Sequence, residues 1–254
     1  MKKFKAIVKI AVTIGIVAVV AIAILQMRSR QCKEMKVRID REIENPLVST
    51  GDIDRLLRDS GIVVVGKNFK EITSISGKLL QLVERHPFVQ SCDKVFFAGS
   101  TLVFDITPRE PLIRIYPSGG EQYFLDKKGH TLPYSERVKE NLVIANGNHI
   151  PRYKGEKQAD SVPVLKSIFT IGSQICENEF SSAQFRQIYI NEGGDVELIP
   201  TIGNHIVLFG DHENTPEKLF HLEETYKKAL SYMGMEQYAS LDVRFKNRVI
   251  ARKK

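Results

Sequence analysis

The side chains able to do chemistry in this sequence are six histidines, three cysteines and one oxygen-rich run, Asn191-Glu192-Gly193-Gly194-Asp195. Histidine suits metal ligation and proton transfer near neutral pH, and thiolates suit metals, redox exchange and nucleophilic attack. Each of those roles needs partners at set spacings. The patterns H-E-x-x-H, C-x-x-C, G-x-S-x-G, G-x-x-x-x-G-K-[ST] and G-x-G-x-x-G do not occur. His86 precedes a proline, and His130 and His205 fall at turn or strand positions, so none is assigned a ligand role. Asn191 to Asp195 could lend oxygens to a loose cation site, but hairpin turns use the same residues, and a turn is the expectation. Cys32, Cys92 and Cys176 are odd in number and far apart. They read as small hydrophobes, with one bridged pair left open. No catalytic residue, metal or cofactor is expected, and function is sought on the surface.

Charge narrows the partner class. The formal net charge of +7 would suit a nucleic-acid binder, but residues 1–41 hold ten Lys/Arg against two acids, while residues 42–254 hold 27 against 28. A nucleic-acid footprint belongs on a folded domain, along one face or helix. Here the excess flanks an apolar segment, so nucleic-acid binding is not expected.

That segment runs from Ala6 to Leu25 with Lys9 as its one charge, and IAVTIGIVAVVAIAIL from Ile10 onward is uninterrupted. A helix of this kind spans about 30 Å over twenty residues, the thickness of a hydrocarbon core. A cleaved signal peptide is the rival reading, but no small-x-small site follows Leu25. The expectation is one uncleaved anchor. Lys2, Lys3, Lys5 and Lys9 precede it and Arg28, Arg30, Lys33 and Lys36 follow, so charge alone does not orient it. A short N-terminal tail inside and a long polar body outside is the topology expected.

Further elements follow from periodicity. Val37 to Asp40 alternates as a strand that Asn45-Pro46 breaks. Ser49 or Thr50 can cap a helix with Ile53, Leu56 and Leu57 on one face, and Gly61 can stop it. Ile75, Leu79, Leu82 and Val83 keep helical spacing up to His86-Pro87. Two strands come next, Val89–Phe97 and Leu102–Ile106. TLVFDITPREPLIRI then brackets Arg109-Glu110 between Pro108 and Pro111, which a continuous central strand would not tolerate. This is read as the joint between two domains.

Beyond the joint, Tyr123-Phe124-Leu125, the turn at Asp126–Gly129 and His130–Pro133 form a hairpin pattern. Strands are expected near Leu142–Ile144, Phe185–Ile190, Val196–Ile199 and His205–Phe209. Val164–Cys176 is expected as a helix with Leu165, Ile168, Phe169 and Gly172 on one face. Thr215-Pro216 supplies an N-cap and a first-turn proline for a helix through Leu219, Leu222, Tyr226 and Leu230 that stops at Gly234. A last strand is read from Leu241 to Lys246, continuing through Val249-Ile250. A terminal strand at a sheet edge can accept a strand from a partner, and Arg244-Phe245 are residue types that anchor interfaces; an ordinary edge protected by Lys246, Arg248, Arg252 and Lys253 is the other reading.

This order resembles the FtsQ/DivIB cell-division family. The residues that carry the likeness are LVERHPFVQSCDKV and TLVFDITPREPLIRI in a module that resembles a POTRA domain, then YFLDKKGHTLP, KLFHLEETYKKAL and YASLDVRFKNRVIARK in a terminal β-rich domain. The resemblance implies an α+β chain with a single transmembrane helix. Its division would be a tail and anchor at 1–27, a linker at 28–35, a POTRA-like β-α-α-β-β domain at 36–109 and an FtsQ-type β domain at 110–254. It implies a non-enzymatic divisome scaffold, without cofactors, at the cytoplasmic membrane of the septum and with its domains extracytoplasmic. The partners implied are FtsB-like and FtsL-like bitopic division proteins and other divisome proteins. Partner-binding residues are expected at Arg244, Phe245, Lys246, Asn247, Arg248 and Val249, and the domain joint at Arg109, Glu110 and Pro111. The alternative is a POTRA-containing secretion or outer-membrane assembly component, for which tandem copies of the first module would speak.

Overall fold

The computed structural model describes residues 2–39, 47–139, 141–230 and 234–254. The chain divides into two compact units, Met1–Pro108 and Arg109–Lys254. The Asn45-Pro46 break expected from the sequence lies outside the described residues, as do Asp40 and the side chain of Leu230.

The apolar segment is helical, within α1 (Lys2–Ser29). Among the described residues, no helix is long and apolar enough to cross a membrane. This overturns the expected transmembrane helix, and the expected single-pass inner-membrane placement falls with it, since it rested on that span. The α+β character of the rest stands.

The first unit continues with β1 (Glu34–Ile39), α2 (Thr50–Asp59), α3 (Phe69–Val83), β2 (Val89–Ala98) and β3 (Thr101–Pro108). The strands lie in the order β1-β3-β2, with β1 parallel and β2 antiparallel to β3. The parallel pair needs a crossover connection, which α2 and α3 supply. Ser49 caps α2 in a capping box with Asp52, and Gly61 just beyond its end takes a left-handed φ of 75°. A second box, Asn68 with Glu71, starts α3 at Phe69, ahead of the first helically spaced residue, Ile75. Ile53, Leu57, Ile72, Leu79, Leu82 and Val83 of the two helices are buried, as are Leu102, Phe104 and Ile106 of the central strand. On the other sheet face Asp105 is also buried. It accepts from Arg38 Nε at 3.1 Å and Nη2 at 2.5 Å, and these bonds hold its carboxyl below the usual carboxylate range.

The second unit holds β4 (Pro111–Tyr116), β5 (Tyr123–Asp126), β6 (Thr131–Pro133), β7 (Val143–Gly147), α4 (Pro163–Glu177), α5 (Glu179–Gln184), β8 (Phe185–Ile190), β9 (Val196–Pro200), β10 (Ile206–Gly210), α6 (Thr215–Thr225), β11 (Tyr238–Asp242) and β12 (Ile250–Lys253). They build one nine-stranded sheet in the order β12-β11-β10-β9-β8-β7-β4-β5-β6. Three pairs are parallel, β4 with β7, β7 with β8 and β10 with β11. Helices α4 and α5 fill the crossover between β7 and β8, and α6 fills that between β10 and β11. Helix α4 buries Leu165, Ile168, Ile171 and Ile175. Gly172 lies on the same face, where a Cβ would come 2.4 Å from Ile113 Cδ1, so the bare glycine leaves Ile113 of β4 its place.

Two local expectations change. Helix α6 is preceded by Asn214 in the left-handed region, φ 53°, while Thr215 is its first residue and donates Oγ1 to His212 O. The last strand is not continuous. β11 ends at Asp242 and β12 begins at Ile250, because Asp242 Oδ1 accepts the Arg244 N–H at 3.1 Å and Asn247 turns left-handed at φ 59°, which reverses the chain.

Candidate partner-docking edge

The sheet ends at β12. Among the described residues it pairs with β11 alone, from Tyr238↔Lys253 to Asp242↔Ile250, and all four of its residues are exposed. Tyr238 and Leu241 of the neighbouring β11, and Val243 just after it, are buried in the core of the second unit. An end strand of this kind carries backbone N–H and C=O groups on its outer side that another chain can pair with.

The six residues expected to bind a partner form the connection into this strand rather than the strand itself. Arg244 reaches back to Asp242, with Nε to Oδ1 at 3.0 Å and Nη2 to Oδ2 at 2.7 Å, and its Nη1 lies 3.6 Å from Asp195. These bonds hold the Asp242 carboxyl below its usual range. Arg244 therefore braces the loop. Phe245 is 48% exposed at the loop tip, followed by the exposed Lys246, Asn247 and Arg248. Val249 turns inward, half-buried against the core.

The loop also forms one wall of a groove of about 130 Å³, whose other wall is the first half of α6 through Glu217, Lys218 and His221. Lys218 is fixed there by Asp211, with Nζ 2.8 Å from Oδ1, and lies 5.1 Å from the centroid of the Phe209 ring. These α6 residues did not stand out in the sequence. A signal existed in the order strand, helix, strand over residues 205–242, since a crossover helix must pack beside the strands it joins.

The joint residues do something different. Pro108 ends β3 and Pro111 opens β4. Arg109, 9% exposed, donates Nη1 to Asp126 Oδ2 at 3.0 Å and Nη2 to Glu156 Oε1 at 2.6 Å, while Glu110 pairs with Lys127 at 2.5 Å. Asp126 is 2% exposed and also accepts the N–H groups of Lys128 and His130. Arg109 thus clamps the β5–β6 hairpin.

The remaining chemical candidates are engaged structurally. His86 Nδ1 accepts from Phe88 N, His130 Nε2 lies 2.8 Å from Gln158 Nε2, and buried His205 shares a 2.5 Å hydrogen bond with Tyr226 OH. Asn191 to Asp195 closes a turn, with Asp195 N donating to Asn191 Oδ1 at 3.0 Å. Cys32 and Cys92 are buried and Cys176 is exposed, all unbridged, and burial pushes the Cys92 thiol up to about 12. Among the described residues no cluster of three His, Cys, Asp or Glu could hold a metal ion.

Comparison with known families matches residues 110–252 to the model described as FtsQ/DivIB, C-terminal related, and residues 30–103 to the POTRA-like domain. No curated protein matches the chain. The two matches together support a cell-division scaffold role and interaction with other divisome proteins. The first spans more than half of the sequence and holds the whole nine-stranded sheet apart from the last residue of β12, so the chain belongs to the FtsQ/DivIB family.

Proposed function

We propose that this chain is a non-enzymatic divisome scaffold whose β12 edge and adjoining loop dock FtsB-like and FtsL-like division proteins. The observation that supports this reading is the exposed end strand, paired on one side and set beside a groove with Phe245 at its rim. A partner segment adding to β12 would gain main-chain hydrogen bonds along the strand, and the groove would select one side chain beside it. Lys246 and Arg248 at the rim, with Arg252 and Lys253 on the strand, favour an acidic segment and raise its encounter rate.

Placing a photo-crosslinking residue at Phe245 and, separately, at Arg252 in dividing cells tests this. Capture of the same small coiled-coil division protein from both positions is the expected result. Capture from neither, or of a large β-barrel instead, contradicts it.

A further inference from the structure

A second surface lies at the opposite end of the same sheet. Here a pocket of about 110 Å³ opens beside β6. Its floor is apolar. Tyr123, 1% exposed, Val162 and Leu165 form it, and the half-buried Tyr153 leans over Tyr123 with ring centroids 5.8 Å apart. The segment 151–158 shapes the rim and is fixed in place. Tyr123 OH donates to Pro151 O at 3.0 Å, Thr131 N donates to Lys157 O at 2.8 Å, and Thr131 Oγ1 donates to Gly155 O at 2.9 Å.

The rim is also of one charge. Arg152, Lys154 and Lys157 line it, all exposed, and no described carboxylate forms an ion pair with any of them. The acid within the segment, Glu156, pairs with Arg109 at 2.6 Å. Three cations that no described carboxylate pairs, set around an aromatic and aliphatic floor, form a site that is neither plain core nor plain solvated surface. The cations attract a negatively charged segment over several ångströms. The floor rewards one buried apolar side chain, and tyrosine is a frequent anchor of such contacts.

We propose that this pocket docks an acidic segment of a partner protein through one aromatic side chain, at a surface separate from the β12 edge. It does not depend on the β12 reading, since no residue is shared between the two. A free polyanion would use the cations and leave the floor empty, which separates the two ligand chemistries.

The test uses the full chain and three probes, the acetylated and amidated peptide Asp-Glu-Phe-Glu-Asp, the same peptide with alanine at its centre, and inorganic triphosphate. Affinity is read by fluorescence anisotropy and location by NMR shifts. The phenylalanine peptide should bind at least tenfold more tightly than the alanine peptide, shift Tyr153 and Leu165, and weaken as salt rises. The triple change Arg152→Ser, Lys154→Ser, Lys157→Ser, at exposed positions, should abolish that binding with the thermal midpoint kept. Equal affinity of the two peptides, triphosphate binding as tightly as the phenylalanine peptide, shifts confined to other surfaces, or no peptide binding would each overturn the proposal.

Discussion

The two ends of the nine-stranded sheet solve the same problem in opposite ways. At one end β6 is three residues long, finishes in Pro133, and is covered by the chain at 155–157, whose carbonyls take the Thr131 N–H and hydroxyl. Arg109 locks that cover through Asp126 and Glu156. At the other end β12 is fully exposed and nothing described pairs with its outer side. Unpaired strand edges invite association, and proteins that must avoid it shorten, cover or break them. A chain that closes one edge with a buried ion pair and leaves the other open has made the second available, and lysines and arginines there guard against indiscriminate pairing.

The largest expected effect comes from breaking the closed end. Arg109→Ala strands the Asp126 carboxylate, 2% exposed, without its cation. The cost expected is about 3–5 kcal/mol. It is measurable by urea unfolding, with the extra exchange of amides concentrated in 126–133 and 155–158. A stability within error of the parent would mean the clamp contributes nothing.

A smaller change sharpens the contrast without removing a charge. Thr131→Val keeps shape but deletes the hydroxyl that donates to Gly155 O and accepts from Lys157 N at 2.8 Å. About 1–3 kcal/mol is expected, since both partners sit in a half-buried cover. Amide exchange should rise at 155–158 and stay unchanged at 250–253.

The third effect is expected at the open half and is read by pH. His205 is 2% exposed just before β10, and burial lowers its pKa; Glu236 opposes that shift and Lys254 adds to it. Burial disfavours the imidazolium, so as pH falls through about 6.5 the unfolded chain takes up the proton first and stability declines until the folded state also protonates. Stability should therefore decline as the pH falls below the ordinary histidine value of about 6.5, above the range where the carboxylates titrate. His205→Gln should flatten this slope, and an unchanged slope would exclude His205 as its source.

What the sequence shows of this contrast depends on how local the determining contacts are. Phe185–Ile190 alternates in sequence and is a strand with those bounds, and the Ser49 cap and the Gly61 stop were visible for the same reason. The start of α3 was equally local, in Asn68 and Glu71, and was passed over because their spacing stands before the apolar repeat begins. The final strand misled because Leu241 to Lys246 alternates well, while the Asp242–Arg244 bonds and the left-handed Asn247 that turn the chain act on the backbone and leave no trace in hydropathy. The cover over β6 joins residues 131 and 157, and the groove joins α6 to the loop after β11. Such contacts depend on sheet order, which a pattern of residue types does not encode. The apolar helix read as a membrane span shows the reverse, since its composition suggested a span while, among the described residues, no helix is long and apolar enough to cross a membrane.

The most direct test of the open edge is amide exchange of the full chain, mixed with an FtsB-like division protein, read at both ends of the sheet. Strand addition predicts that exchange at Ile250–Lys253 slows at least tenfold on binding, with Thr131–Pro133 unaffected. Binding that leaves Ile250–Lys253 exchanging as before, or that protects Thr131–Pro133 instead, would contradict the account.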